Sequence, residues 1–547
     1  MAEAKAKPKI RRKVIRIPSG GQMALFQEAD ALSGKARETV TVTVADDNGA
    51  REEKVRFVVG DPSGILISNK PLDDVLINFE LTDVFHVKNL LQEQDWKEFT
   101  KRYKAGGRPG YHPSAMVGLI LFGIMEGRTS LRQLETMARA DVRCWWLMAG
   151  IFPDHSKIGQ FMIDHQETLT VKFFESLTKA VLKRTGTGGK VVAVDGTVIQ
   201  AAASNFKNIR REAAEEKSAE ARQRAKENPA DEKAEASAQL AEEVAETARE
   251  RERYVKSKGG DPKKVRVNSQ EPEARNQPLK NKVMSMSYKP TVMANEQRIV
   301  TSVAVHPTSE TEPFKEMLEQ SERTSGKKPD TVLADSAWCA TDVIKQCVKD
   351  GIEILTPSPR DNRKAKVIPK KDFKYDGDKN VYQCPGGYEL VWMKTILDRG
   401  KTGEKYGGGP CRSCPLKPKC CPKKRRIIVR YGAEEEKNRI REYLDTSEGA
   451  GRYSKRSGWV EPVFSDMIYG QGLRRFHRVG LNGVRLEFAL HAAAHNIRRM
   501  LALGRRKGAQ STGGVPSPAA AFSSLCSHLE FFLRPRRRFF GSVPCCR

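Results

Sequence analysis

The sequence predicts an α/β protein: a mixed sheet, preceded by a helical domain and interrupted by two insertions. Three observations lead there. The stretch "GKVVAVDGTVIQAAAS" (189–204) sets Val191, Val192, Ala193 and Val194 ahead of Asp195, the apolar run of a strand buried on both faces. Further on come "VMSMSYKPTVMAN", "RIVTSVAVH", "EPFKEMLEQSERT", "PDTVLADSAW", "TDVIKQCVKD" and "GIEILTPS". Counted from the Asp195 run, they read strand, strand, strand, helix, strand, helix, strand, the order of a mixed sheet. Residues 79–185, by contrast, read as helices throughout.

The chain of 547 residues is long enough for several cores. Its 96 Lys and Arg against 68 Asp and Glu leave a net charge of +28, so a polyanion is the expected partner. The longest apolar run, "AMVGLILFGIM" at 115–125, is too short for a membrane span, which needs ~20 residues. The N-terminus is basic but lacks the apolar core of a secretory signal. A cytoplasmic protein without a membrane partner is therefore expected. In that compartment the 11 cysteines fit metal binding or free thiols better than disulfides.

Residues 1–78 open as a basic arm and continue into "ETVTVTVADDNGAREEKVRFVVG" (38–60). That segment alternates, turns near Asn48-Gly49 and alternates again, as a β-hairpin does. Within 79–185, Pro113 and Ser114 open one helix, and Ser130 with Gln133 forms a capping box for the next. "PDHSKIGQFMIDH" adds a turn and a helix. Two readings stand for these helices: a DNA-contacting helix-turn-helix, with Arg128, Arg132 and Lys157 as its cations, or a plain bundle. The sheet domain spans 189–503. Its first insertion, 206–262, is rich in Ala, Glu, Arg and Lys and reads as solvated helices broken at Asn228-Pro229. Its second, 373–430, carries the cysteines. Beyond 504 the composition is that of a loose basic tail.

Asp195 raises the functional question, because an unpaired carboxylate in a buried strand costs several kcal/mol. Asp335 ends the fourth strand. If the two strands are neighbours, both acids open onto one edge of the core. Two close carboxylates repel unless a cation lies between them. Divalent ions on hard oxygen ligands, Mg²⁺ above all, relieve that repulsion and create a phosphoryl-transfer site. Glu461 in "GWVEPVF" comes at the right place in the order for a third carboxylate from a packed helix. Glu487 is its rival. It falls with His491 and His495 on one helical face, which reads either as a metal face or as ordinary helix packing.

Two strand acids and a helix acid in this topology are the ribonuclease H-like arrangement. The chain resembles the DDE transposases of bacterial insertion sequences, in the branch with a helical N-terminal domain and a cysteine-bearing insertion. The resemblance rests on "GRPGYHPSAMVGLILFGIMEGRTSLRQLE", "PDHSKIGQF", "VVAVDGTVIQAAAS", "VLADSAW", "CPGGYEL", "CRSCPLKPKC", "EPVF" and "HAAAHNIRRM", in the family's order from about 79 to 503. It implies a ribonuclease H-like core with Asp195, Asp335 and Glu461 as catalytic, metal-binding acids, using Mg²⁺ or Mn²⁺. It also implies Mg²⁺-dependent strand cleavage and strand transfer on transposon ends and target DNA, by a homodimer associated with the bacterial nucleoid. Tyr453 and Arg456 match the family's helix motif, but Ile468 stands where that motif has a DNA-contacting lysine. Arg474 or Arg475 could replace that cation, or this copy is impaired. A nuclease that cuts without joining and an inactive DNA-binding relic are the alternatives.

Cys384, Cys411, Cys414 and Cys420 offer four thiolates, with Cys421 adjacent. They suit a tetrahedral structural Zn²⁺ clipping an insertion expected to lack a core of its own. Free thiols are the other reading.

Overall fold

The computed structural model describes residues 37–46, 49–58, 60–103, 109–358, 368–398, 401–421 and 425–511. The basic arm and most of the expected tail lie outside them. The architecture is mixed helix and sheet. The central strands are β1 (Val191–Gly196), β2 (Met284–Asn295), β3 (Val300–His306), β4 (Thr331–Leu333) and β5 (Glu353–Leu355). Their lateral order is β3-β2-β1-β4-β5. β2 is antiparallel to β1 and β3, whereas β1, β4 and β5 run parallel.

β1 is central because its sequence leaves it no other place. Val192, Ala193 and Val194 are fully buried. Fully burying a valine side chain is worth about 1.5–3 kcal/mol, so exposing this run on an edge would cost several kcal/mol. The helices that cover the sheet include α1 (Phe314–Ser325), α2 (Thr341–Lys349), α3 (Ser447–Ser465) and α4 (Leu481–Ser511). The last runs to Ser511, so no loose segment begins at 504.

The hairpin forms as its alternation demands, with Asp46 opposite Gly49. In the N-terminal helical region, Ser130 and Gln133 close their capping box reciprocally at 3.3 and 3.2 Å. The helices there do not stand apart from the sheet. One apolar cluster runs from Leu72 and Leu121 through Phe174 to Val292, Phe488 and Leu501. The charged insertion is an antiparallel helix pair, Arg211–Glu227 and Glu232–Ser257, interrupted around Asn228-Pro229.

The cysteine insertion differs from expectation. It has a five-stranded antiparallel sheet, Lys374–Asp376, Val381–Gln383, Glu389–Asp398, Lys401–Gly407 and Ile427–Tyr431. Phe373, Tyr382, Leu390, Tyr406 and Ile428 give it a core. The sequence hid this because only five apolar side chains are needed, scattered over some fifty residues of Lys, Gly and Pro.

Candidate active site

The register of β1 and β4 places the two strand acids side by side. Ala193 pairs with Leu333, and Asp195 and Asp335 each follow two residues later. Residues two apart on a strand share a face, and neighbouring strands lie about 4.8 Å apart. β4 ends at Leu333, and Asp335 then turns the chain: its Oδ1 accepts the Ala337 N–H at 2.8 Å, and Thr356 Oγ1 donates to its carbonyl at 2.6 Å. The Asp335 carboxylate is thus held by the turn it caps.

Asp195 is held by charge. Arg456 Nη2 lies 2.9 Å from its Oδ1, with the two side chains 11% and 20% exposed. Burial pushes the Asp195 carboxyl up to about 6, Arg456 opposes the rise, and Asp335 and Glu310 add to it. Arg456 comes from α3, which packs on β1 and β2. Gly449, Val460, Val463 and Phe464 form the buried face of that helix. Tyr453 lies one turn before Arg456, its phenol raised by burial and by both aspartates, with Arg456 opposing. Arg456 Nε is buried with no hydrogen-bond partner in the structure.

Glu461 occupies the same helix but its exposed flank. Among the described residues, no three His, Cys, Asp or Glu side chains are grouped closely enough to hold a metal. The structure therefore brings Asp195, Asp335, Tyr453 and Arg456 together and leaves Glu461 outside that group. It brings in another acid instead. A Cβ on Gly196 would stand 2.6 Å from Glu310 Oε2, so glycine there lets Glu310 lie directly against the backbone beyond Asp195. Lys289 of β2 pairs with Glu310 at 2.9 Å. Neither residue was legible: "HPTSETEPF" has no periodicity, and Lys289 sits inside a strand that reads as core.

The rival acid and its two histidines are already engaged. Glu487 accepts the backbone N–H groups of His477 and Arg478 at 2.9–3.1 Å and pairs with the His477 ring at 2.9 Å. His491 Nδ1 meets Gln471 Oε1 at 2.7 Å, and His495 Nδ1 meets Asp466 Oδ2 at 2.7 Å. This face is helix packing, each residue with its own partner.

Two segments of the chain match known families. Residues 81–163 match a transposase domain (DUF772), and residues 383–501 match a transposase DDE domain. Over these two segments the chain is similar to transposases, and the second carries the likeness to their DDE domain. No curated protein matches the chain. The DDE match spans Tyr453, Arg456 and Glu461, and the two aspartates lie between the matched segments.

Elsewhere in the structure, Arg128, Arg132 and Lys157 are all exposed. Arg475 donates to the carbonyls of Ala201 (3.0 Å) and Ala202, so it braces a loop. Arg474 lies over the Tyr469 ring at 5.5 Å, and Ile468 packs against the apolar core. The four cysteines and Cys421 line one small cavity of the insertion, and all five are free of disulfides. No helix among the described residues is long and apolar enough to cross a membrane.

Proposed function

We propose that this protein is a transposase that binds the ends of a bacterial insertion sequence as a homodimer and cleaves and joins DNA at a ribonuclease H-like core. The observation that carries this reading is the in-register pair Asp195 and Asp335 on adjacent parallel strands, within the strand order β3-β2-β1-β4-β5. Hard carboxylate oxygens suit a divalent cation, and such a cation would relieve the repulsion from Asp335 and Glu310 that adds to the rise of the Asp195 carboxyl. Asp195 and Asp335 would hold Mg²⁺ or Mn²⁺, and Glu461, which lies outside their group in this structure, would have to swing in as the third acid. That cation, when bound, supplies charge neutralisation and an activated water for phosphoryl transfer.

The chain's own residues position the reaction. Arg456 balances Asp195 and fixes where its carboxylate points. Tyr453 borders both acids and offers a phenol to a phosphate oxygen. Glu310 constrains Asp195 from the other side, as a positioning residue. Arg128, Arg132 and Lys157 hold the DNA backbone, and Arg474 stands in for the missing motif lysine. The packing of Ile468 into the core favours a second reading, a copy with reduced joining activity, because no cation can act from that position.

The test is metal-dependent cleavage of cognate ends. Asp335→Ala and Glu461→Gln should each lower it at least 10²-fold, the scale of losing a preorganised electrostatic group. Glu310→Gln should cost less, 10- to 100-fold, as for residues that orient ligands. Unchanged cleavage in Asp335→Ala would reject the site. If Glu310→Gln were dead and Glu461→Gln active, Glu310 would be the third acid. Strand-transfer products separate a transposase from a nuclease.

A further inference from the structure

β2 is longer than the strand it pairs with. Thr291 is opposite Gly196, and Met284–Pro290 continue beyond the end of β1 that carries Asp195. This overhang pairs with Arg275–Pro278 and Ile199–Gln200, and the loop after Gln200 lies against its tip. Phe206 is in that loop and is 100% exposed. A single exposed apolar side chain is ordinary on a protein surface; what marks this one is the fixed loop that presents it and the exposed apolar and basic residues beside it.

The exposure is built. The chain on both sides of Phe206 is clamped by buried polar groups. Glu271, fully buried, accepts the Ala203 N–H. Asn268 Nδ2 donates to the Ser204 carbonyl at 2.9 Å, and Ser204 Oγ accepts the Phe206 N–H at 3.3 Å. Asn205 Oδ1 accepts the Met286 N–H at 3.1 Å, and the Ser269 N–H donates to the Lys207 carbonyl at 3.0 Å. Arg475 holds the carbonyls of Ala201 and Ala202. A loop held this way presents the ring outward and gives it no route back to the core.

The surroundings select the partner. Val283 and Met284, at the tip of the hairpin that Asn205 bonds, are 56% and 51% exposed. Lys207, Arg210, Lys280 and Lys282 are exposed around them and, among the described residues, form no ion pair with a carboxylate. An apolar point ringed by free cations matches a nucleic acid, whose phosphates take the cations while a base face takes the ring. We propose that Phe206 is a wedge that inserts against a base step of the transposon-end DNA. From Val292, opposite Asp195, to Met286 is six residues of strand, ~20 Å at about 3.3 Å each. For a duplex lying along β2, at about 3.4 Å per base pair, the wedge meets it roughly six base pairs from the cleaved phosphate.

This inference rests on the transposase reading. Its test uses the full-length protein and terminal-repeat duplexes, each carrying a fluorescent adenine analogue that brightens when unstacked at one position within a helical turn of the cut. The wild type should brighten the probe at a single position about six base pairs in. Phe206→Ala, with unchanged melting temperature, should lose that signal and bind roughly tenfold or more weakly, the scale of one base–aromatic stack. Phe206→Trp should restore both. Lys207→Ala should weaken binding and keep the signal. If Phe206→Ala keeps affinity and brightening, or alters only the sedimentation of the DNA-free protein, the wedge is overturned and Phe206 is a contact between copies or inert. If the wild type cleaves cognate ends with no position brightening, the wedge falls and the transposase stands. If it neither binds nor cleaves them, both fall.

Discussion

At Asp195 the cost of burying a carboxylate and its use for cation binding have one cause. Its position beyond a fully buried apolar run raises its proton affinity, and the Arg456 guanidinium returns part of that cost. His491 shows the opposite case, a buried base kept neutral. Burial lowers its pKa from 6.5 to about 4, and Glu487 only partly opposes this. As pH falls below 6.5 the unfolded chain takes up a proton that the folded chain refuses, so stability drops until about 4, where both bind it. The loss attributable to this residue is at most about 3 kcal/mol. His491→Asn should keep a donor for Gln471 Oε1 and flatten the fall of melting temperature across that window. A curve as steep as the wild type's would place the acid sensitivity elsewhere. Residues of this kind differ in how far a sequence discloses them. Asp195 and Asp335 were readable because each ends an apolar strand run. Arg456 was readable only as part of a resemblance. Glu310 reaches the site across a loop of no period, and what marks it is the missing Cβ of Gly196, a fact about two backbones in space.

At the scale of elements, periodicity disclosed what it physically controls. The alternation of the hairpin, the capping box at Ser130 and the break at Asn228-Pro229 are local preferences, and each element forms where its residues favour it. The insertion at 373–430 was misjudged because short twisted strands bury few side chains and show little pattern. Its own core changes what a zinc ion would do there. With Phe373, Tyr382, Leu390, Tyr406 and Ile428 already packed, thiolate ligation by Cys384, Cys411, Cys414 and Cys420 would fasten one end of a folded sheet rather than create the fold. Burial and Cys421 push the Cys420 thiol up to about 11, so binding must displace a proton there and weakens in acid. In the structure no three of these thiols are grouped closely enough to hold a metal, so ligation has to draw them together; if it does, purified protein should carry about one zinc per chain. Chelation should lower the melting temperature without abolishing the strand signal. Cys414→Ser should lose the metal and keep end cleavage in Mg²⁺. Zinc-free protein of unchanged stability would leave these cysteines as thiols.

For the molecule as a whole, the shared apolar core matters most. Because the N-terminal helices and the sheet pack into one cluster, Arg128, Arg132 and Lys157 stand at fixed distances from Asp195 and Asp335. A duplex held by those cations is therefore held in register with the acids, with no interdomain docking step required. The net charge of +28 attracts DNA at long range whatever its sequence, so weaker binding alone would not identify the cations that fix this register. The salt dependence does identify them. Each phosphate contact removed lowers the slope of log affinity against log salt by about one, whereas removing a charge that touches no phosphate changes affinity and slope little at moderate salt. Changing Arg128, Arg132 and Lys157 together to alanine should reduce the slope by about three and cut cleavage in parallel, since the cut site loses its register. Lys315→Ala is the control, because Lys315 lies on α1 with Glu319 3.9 Å away. It should leave both quantities unchanged. Equal slopes in the triple variant and the wild type would mean that the DNA approaches Asp195 without touching these helices, and that the fixed core supports some other path to the site.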